Sequence, residues 1–219
     1  ERRRSRAEVR EEWGIPADVP LAGMVGRLVD WKGPDYFLRA AALVAEDLEE
    51  ARFMLVGDAL FGERAYVEEL KALVRELGIE ERVVFTGFRE DVEDVMGCLD
   101  LVVHASVLPD PLPTVLIEAL GMGLPVVATE GGGVREIVEN GECGLVVPPR
   151  DVGAMAEAMK TLLRDGELAA RMGEEGRRKV QATFDPEVTS RELQDELLRL
   201  LEVRKPREGR RGPRGRWRA

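Results

Sequence analysis

Short, nearly unbroken apolar runs alternate along this chain with segments whose apolar residues recur at helical spacing, and nothing else in the sequence limits its fold as much. The runs are PLAGMVGRL (20–28), ARFMLVG (51–57), RVVFTG (82–87), DLVVHAS (100–106), LPVVAT (124–129) and GLVVP (144–148). Between the first two lies PDYFLRAAALVAE (34–46), with Phe37, Ala41 and Val44 on one helical face and Pro34 where a helix tolerates it. ERAYVEELKALVRELG (63–78) reads as an amphipathic helix stopped by Gly78, EDVEDVMGC (90–98) as a short helix, and PTVLIEALGMG (113–123) as a helix opened by Pro113. Strands that are apolar on both faces and separated by helices belong to a parallel sheet covered on both sides. The expected fold is therefore α/β, a doubly wound parallel sheet over about 19–165 with additional C-terminal helices at 151–164, 167–183 and 186–203. No internal repeat is visible.

The 219 residues carry a net charge of −10, with 44% hydrophobic and 34% charged residues, which is enough apolar material for a core. The charge is unevenly placed: residues 1–6 sum to +3 and residues 204–219 to +7, leaving −20 on 7–203. So acidic a body is a poor partner for phosphate backbones, and nucleic-acid binding by it is not expected. Residues 1–18 read as a basic N-terminal segment and linker, 19–203 as the folded domain, and 204–219 as a disordered basic tail. The tail is either a solvated terminus or a contact for nucleic acid or another acidic surface. The longest apolar stretches, at 99–108 and 124–128, fall far short of the roughly 20 residues that span a bilayer, so no transmembrane segment is expected. Two cysteines, Cys98 and Cys143, make no disulfide framework and read as small buried hydrophobes. No secretory signal opens the chain, and a first residue of Glu implies that something upstream has been removed. The expected location is the cytoplasm, with the inner face of a membrane as its variant.

Two constellations carry chemistry. Neither a G-x-G-x-x-G nor a G-x-x-x-x-G-K-[ST] motif follows the first strand; GRLVDWKG does, with Arg27 and Lys32 in the strand-to-helix loop. Open parallel sheets bind ligands at the carboxyl ends of their strands, where a guanidinium and an ammonium together suit a phosphate. The alternative is two solvated loop cations. In the second constellation, Asp110 follows the fourth strand and Glu118 lies eight positions on, within the next helix. The amides of Thr114 and Val115 would point from that helix N-terminus at a phosphate or a sugar hydroxyl, and the two carboxylates suit a polyhydroxyl ligand. Otherwise Asp110 caps the loop and Glu118 lies on a wet helix face, although a carboxylate inside LIEAL is seldom left without a partner. His104, the sole histidine, reads as a strand-end or core residue. Gly131, Gly132 and Gly133 make a loop able to approach a ligand or simply to turn. Trp31 either shields the site or covers its loop. Met122, Met155, Met159 and Met172 read as core.

The segments GRLVDWKG, LVGD, VVFTGFRED and DPLPTVLIEALGMGLPVVATEGGGVREIVENGECGLVVPP resemble, in order and spacing over about residues 8–203, the C-terminal half of a family 4 glycosyltransferase (glycosyl transferases group 1) of the GT-B fold. The resemblance implies a Rossmann-like domain and retaining, metal-independent transfer of a sugar from a nucleotide-diphosphate donor. It implies that Arg27 and Lys32 neutralise the donor diphosphate, that Glu118 binds the ribose and that Asp110 binds the transferred sugar. The loop around Phe88 and Arg89 would hold the base through main-chain atoms, and Thr114 and Val115 would complete the donor site. Two departures matter: Asp110 stands where the family has Glu, and Leu112-Pro113 replaces the usual Phe-Gly. The N-terminal acceptor-binding domain of such an enzyme is absent from these residues, so the chain alone is expected to bind donor and catalyse little. Residues 186–203 would then expose an apolar stripe or make a homodimer contact. The alternative is a non-catalytic nucleotide-binding or interaction module that keeps the half-fold.

Overall fold

A computed structural model describes residues 4–59 and 64–203; the tail at 204–219 lies outside them. Six parallel strands form one sheet: β1 (Leu21–Val25), β2 (Arg52–Val56), β3 (Val83–Gly87), β4 (Leu101–His104), β5 (Val126–Thr129) and β6 (Gly144–Val147), in the order β3-β2-β1-β4-β5-β6. Each strand falls inside its expected run, shortened where the ladder stops but apolar side chains continue. The order reverses between β1 and β4, so the loops leaving these two strands diverge and open a crevice at their carboxyl ends.

Among the described residues up to Gln181, the helices are α1 (Arg6–Glu12), α2 (Pro34–Asp47), α3 (Arg64–Glu76), α4 (Val92–Met96), α5 (Thr114–Gly121), α6 (Val134–Ile137), α7 (Val152–Arg164) and α8 (Gly166–Thr183). Helix α2 begins with Pro34 at its first position and buries Phe37, Leu38, Ala40, Ala41 and Val44, packing on α7 and the sheet. Phe37 meets Phe53 of β2 edge-on at 6.3 Å between centroids, a geometry worth about 0.5–1.5 kcal/mol beyond the area buried. Helix α7 is capped by the Asp151 carboxylate, which accepts from the Ala154 amide at 2.9 Å. Met155, Met159 and Met172 are core residues, and Met122 is half-buried. Residues 182–203 belong to a separate unit that contains α9 (Pro186–Val203), in which Leu193, Leu197, Leu198 and Leu200 are exposed. No helix among the described residues is long and apolar enough to cross a membrane.

The N-terminal segment departs from its expected role as a basic linker. Ser5 and Glu8 form a capping box that starts α1, and α1 packs against α4. Arg10 is 1% exposed. Its guanidinium donates to the carbonyls of Cys98, Pro16, Ala17 and Val19 at 2.9–3.0 Å and to Asp100 at 2.8 Å. Asp100 also accepts from the Leu21 amide at 2.8 Å, tying the starts of β1 and β4 to α1. A charge tally could not separate this arginine from Arg4 and Arg6, which pair with carboxylates while about one-third exposed.

Candidate functional site

The site begins with glycines at three neighbouring strand ends. Val25, Val56 and Gly87 are in register across β1, β2 and β3, so Gly26 and Gly57 meet where the chain leaves the sheet. Gly57 has φ +136°, and a Cβ there would lie 1.9 Å from the Gly26 carbonyl oxygen. The Gly26 amide donates to Val56 and the Gly57 amide to Gly87, at 2.9 and 3.1 Å. The backbone therefore closes the floor of a cavity that side chains would fill.

Above that floor is a pocket of about 670 Å³, lined by Val25–Arg27, Val56–Ala59, Phe88, Arg89, Val92, Thr114, Val115 and Glu118. Six residues expected at a ligand site from sequence thus share one pocket: Arg27, Phe88, Arg89, Thr114, Val115 and Glu118. Arg27 is exposed and has no ion pair among the described residues. Pro113 occupies the N-cap of α5 without a side-chain acceptor, and the first turn holds no acid. The Leu116 amide donates to the Pro113 carbonyl at 3.0 Å, which leaves Thr114, Val115 and the positive dipole end of α5 at the pocket without a capping side chain, a setting that favours an anion. Glu118 is exposed at the pocket edge with no partner among the described residues. The expectation that its apolar neighbours would force a partner on it fails because Leu116, Ala119 and Leu120 turn inward while Glu118 faces water.

The opposite wall is braced from the N-terminus. Arg89 forms a two-pronged pair with Asp91, both bonds 2.8 Å, and donates to Glu12 at 3.0 Å. Arg4 also bridges Glu12 and Asp91, and Trp13 lies beneath the Arg89 guanidinium at 5.8 Å. The Arg89 charge is spent within the protein, and Phe88, 76% exposed, is held out over the pocket. Glu12 and Trp13 went unnoticed in the sequence, where only their place within the N-terminal segment was visible.

Lys32 and Asp110 are not among the lining residues; they are brought to each other. The Lys32 ammonium donates to Asp110 Oδ2 at 2.6 Å and lies 4.5 Å over the Trp31 ring. The two cations expected to act together thus differ, one exposed at the pocket and one neutralised by a carboxylate 6% exposed. Burial pushes the Asp110 carboxyl up, but the Lys32 hydrogen bond and charge, with His104, hold it below the ordinary range. The Gly131–Gly133 loop packs on the Asp110 backbone: the Gly133 amide donates to the Asp110 carbonyl at 2.9 Å, and a Cβ on Gly132 would sit 1.9 Å from that oxygen. Cys98 and Cys143 are buried, and no disulfide joins them.

His104, buried at the end of β4, is depressed to about 4 by burial first and the Lys32 charge second. It is therefore neutral at pH 7. As pH falls below about 6.5 the unfolded chain takes up this proton and the folded chain does not, so stability declines until about pH 4, by about 3 kcal/mol in total. Denaturant melts at pH 7, 5.5 and 4.5 should give a shallower acid decline for His104→Gln than for the natural chain. Parallel declines would show that His104 protonates freely in the fold.

The sequence model of the glycosyl transferases group 1 family matches residues 5–179. The chain is 35% identical over 171 residues to an alpha-D-kanosaminyltransferase of Streptomyces kanamyceticus, covering 77% of this chain and 42% of that protein. Its fold matches Anabaena Alr3699/HepE, solved in complex with UDP and glucose, with a TM-score of 0.82 and 34% identity over 88% of this chain and 51% of that one. It also matches the C-terminal domain of a glycosyl transferase group 1 protein (LpcC) of Francisella tularensis, with a TM-score of 0.73 and 25% identity over 83% of this chain and 94% of that one. The chain spans about half the length of the full-length relatives it matches.

Proposed function

This chain belongs to the glycosyl transferases group 1 family, and on that premise we propose that it is the donor-binding, C-terminal half of a retaining family 4 glycosyltransferase. The observation that carries this is the pocket at the β1/β4 switch point, where the uncapped N-terminus of α5 and the unpaired Arg27 face one another in an otherwise acidic body. A diphosphate supplies the anion that such a site lacks. Glu118 at the pocket edge accepts from the ribose hydroxyls, and the base lies against Phe88 and the backbone of the braced 87–91 loop. Lys32 adds charge to the diphosphate as it becomes the leaving group, and Asp110 lies toward the transferred sugar. Charge compensation on this assignment comes from side chains and a helix terminus rather than from a metal ion. Transfer takes place in a cleft completed by a second, acceptor-binding domain, so the chain by itself binds donor and turns over at most in traces. The UDP held by the Anabaena neighbour and its 34% identity support the assignment.

Calorimetric titration with UDP, GDP and ADP tests it. At least one is expected to bind, and Arg27→Ala to weaken it about tenfold to a hundredfold, the ~1.5–3 kcal/mol of a hydrogen bond to a charged group. Silence from all three nucleotides would remove the donor site. Binding indifferent to Arg27→Ala would move the phosphates elsewhere.

A further inference from the structure

Behind the pocket, four side chains form a chain of contacts for which ligand binding alone gives no reason. Asp110 Oδ2, which takes the Lys32 ammonium at 2.6 Å, also lies 3.5 Å from His104 Nε2, and His104 Nε2 lies 3.0 Å from Ser106 Oγ. The Ser106 carbonyl accepts from Thr129 Oγ1 at 2.7 Å, fixing this strip to β5. His104 Nδ1 is buried with no hydrogen-bond partner. With the proton on Nδ1 a buried donor would go unpaired, and Nε2 would face the carboxylate lone pair to lone pair. With the proton on Nε2 that donor is shared by Asp110 and Ser106, and only an acceptor goes unpaired, which costs less. The neutral Nε2–H imidazole thus aims Asp110 at Lys32. The charged groups bearing on His104 are Lys32, from the turn after β1, and Asp110, from the loop after β4; Ser106 and Thr129 are uncharged.

We propose that His104 is a positioning residue which, through Asp110, holds Lys32 ready, and that the His104–Asp110 pair takes up one proton from solvent when a donor diphosphate engages the Lys32 ammonium. This rests on the assignment of Lys32 to the diphosphate. A phosphate oxygen that draws on Lys32 offsets the cation that, after burial, does most to keep His104 neutral, and leaves the buried carboxylate short of positive charge. Both changes favour a proton on the pair, which titrates as one unit. No other bond is made or broken.

His104 is the sole histidine of the sequence, so its ring carbon-bound protons give an unambiguous NMR titration. In the full chain, saturating UDP-glucose or GDP-mannose is expected to raise the proton affinity of His104 at least tenfold. Either probe is a diphosphate diester and carries no proton of its own to exchange near pH 5. In Lys32→Ala the free protein is expected to show His104 already raised, and the probe to move it no further. Calorimetry at pH 5, where a tenfold rise takes His104 from mostly neutral to about half protonated, should report this uptake in two buffers of different ionisation enthalpy as roughly 0.4 proton per site, lost in His104→Gln while that variant still binds, about threefold to tenfold more weakly. Nucleotide-sugar binding with an unmoved His104 overturns this inference and leaves the donor site standing. No binding of either probe, or of UDP, GDP or ADP, overturns both.

Discussion

Arg10→Ala is expected to lower folding stability by about 2–4 kcal/mol, the cost of removing a buried guanidinium on which four carbonyls depend, its carboxylate partner Asp100 being 37% exposed. The guanidinium fills the joint between α1, the 16–19 segment and the starts of β1 and β4, and its loss leaves the carbonyls of Cys98, Pro16, Ala17 and Val19 without this donor. It also strips Asp100 of its buried cation, leaving Arg6 at 2.6 Å, a pair about one-third exposed on both sides. Arg6→Ala should for that reason cost about 1 kcal/mol or less. Lysine at position 10 cannot reproduce a planar fork that reaches five acceptors, so Arg10→Lys should fall between the two. Urea unfolding of the three variants ranks them directly. A loss below about 1 kcal/mol for Arg10→Ala would mean that water repairs the joint.

Gly57→Ala is expected to disrupt both the fold and the pocket, because the clash is with backbone. Its Cβ would lie 1.9 Å from the Gly26 carbonyl oxygen, at a φ of +136° that side chains rarely adopt. The end of β1 must move away, taking Arg27 with it, or the β1–β2 ladder must open. Either displacement should cost about 3 kcal/mol or more, as overpacking and backbone strain combine. Nucleotide binding should fall by at least a hundredfold, since pocket geometry depends on Arg27. Gly26→Ala is the internal comparison: its φ is +147°, yet a Cβ there meets nothing within 4 Å. It carries the strain without the collision and should destabilise by about 1–2 kcal/mol. Equal melting shifts for the two variants would assign the whole effect to φ and none to contact.

Much of this architecture was legible locally. Each of the six strands sits inside an apolar run, and α2, α3, α5 and α7 begin and end within a few residues of their proline, glycine or periodicity signals. Hydrophobic pattern and backbone chemistry are short-range properties, so they survive in the linear text. Helix α1 is masked in the sequence by the charge of its segment, and only the Ser5–Glu8 capping box marks its start. The pocket was half legible: the residues on its walls stood out by motif, but the close approach of Gly26 and Gly57 depends on strand register. The bracing of Arg89 by Glu12 joins residues 77 positions apart.

Cations show where local pattern stops. Arg10, Arg27 and Lys32 look alike on the page, each a basic residue near the N-terminal end of an acidic chain. Arg10 is walled in by carbonyls, Arg27 stands open to the pocket, and Lys32 is closed against Asp110, 78 positions away. The order of strands and helices follows from residues a few positions apart. The state of each charge follows from burial and from long-range partners, which exist only once the sheet has brought the ends of β1 and β4 together.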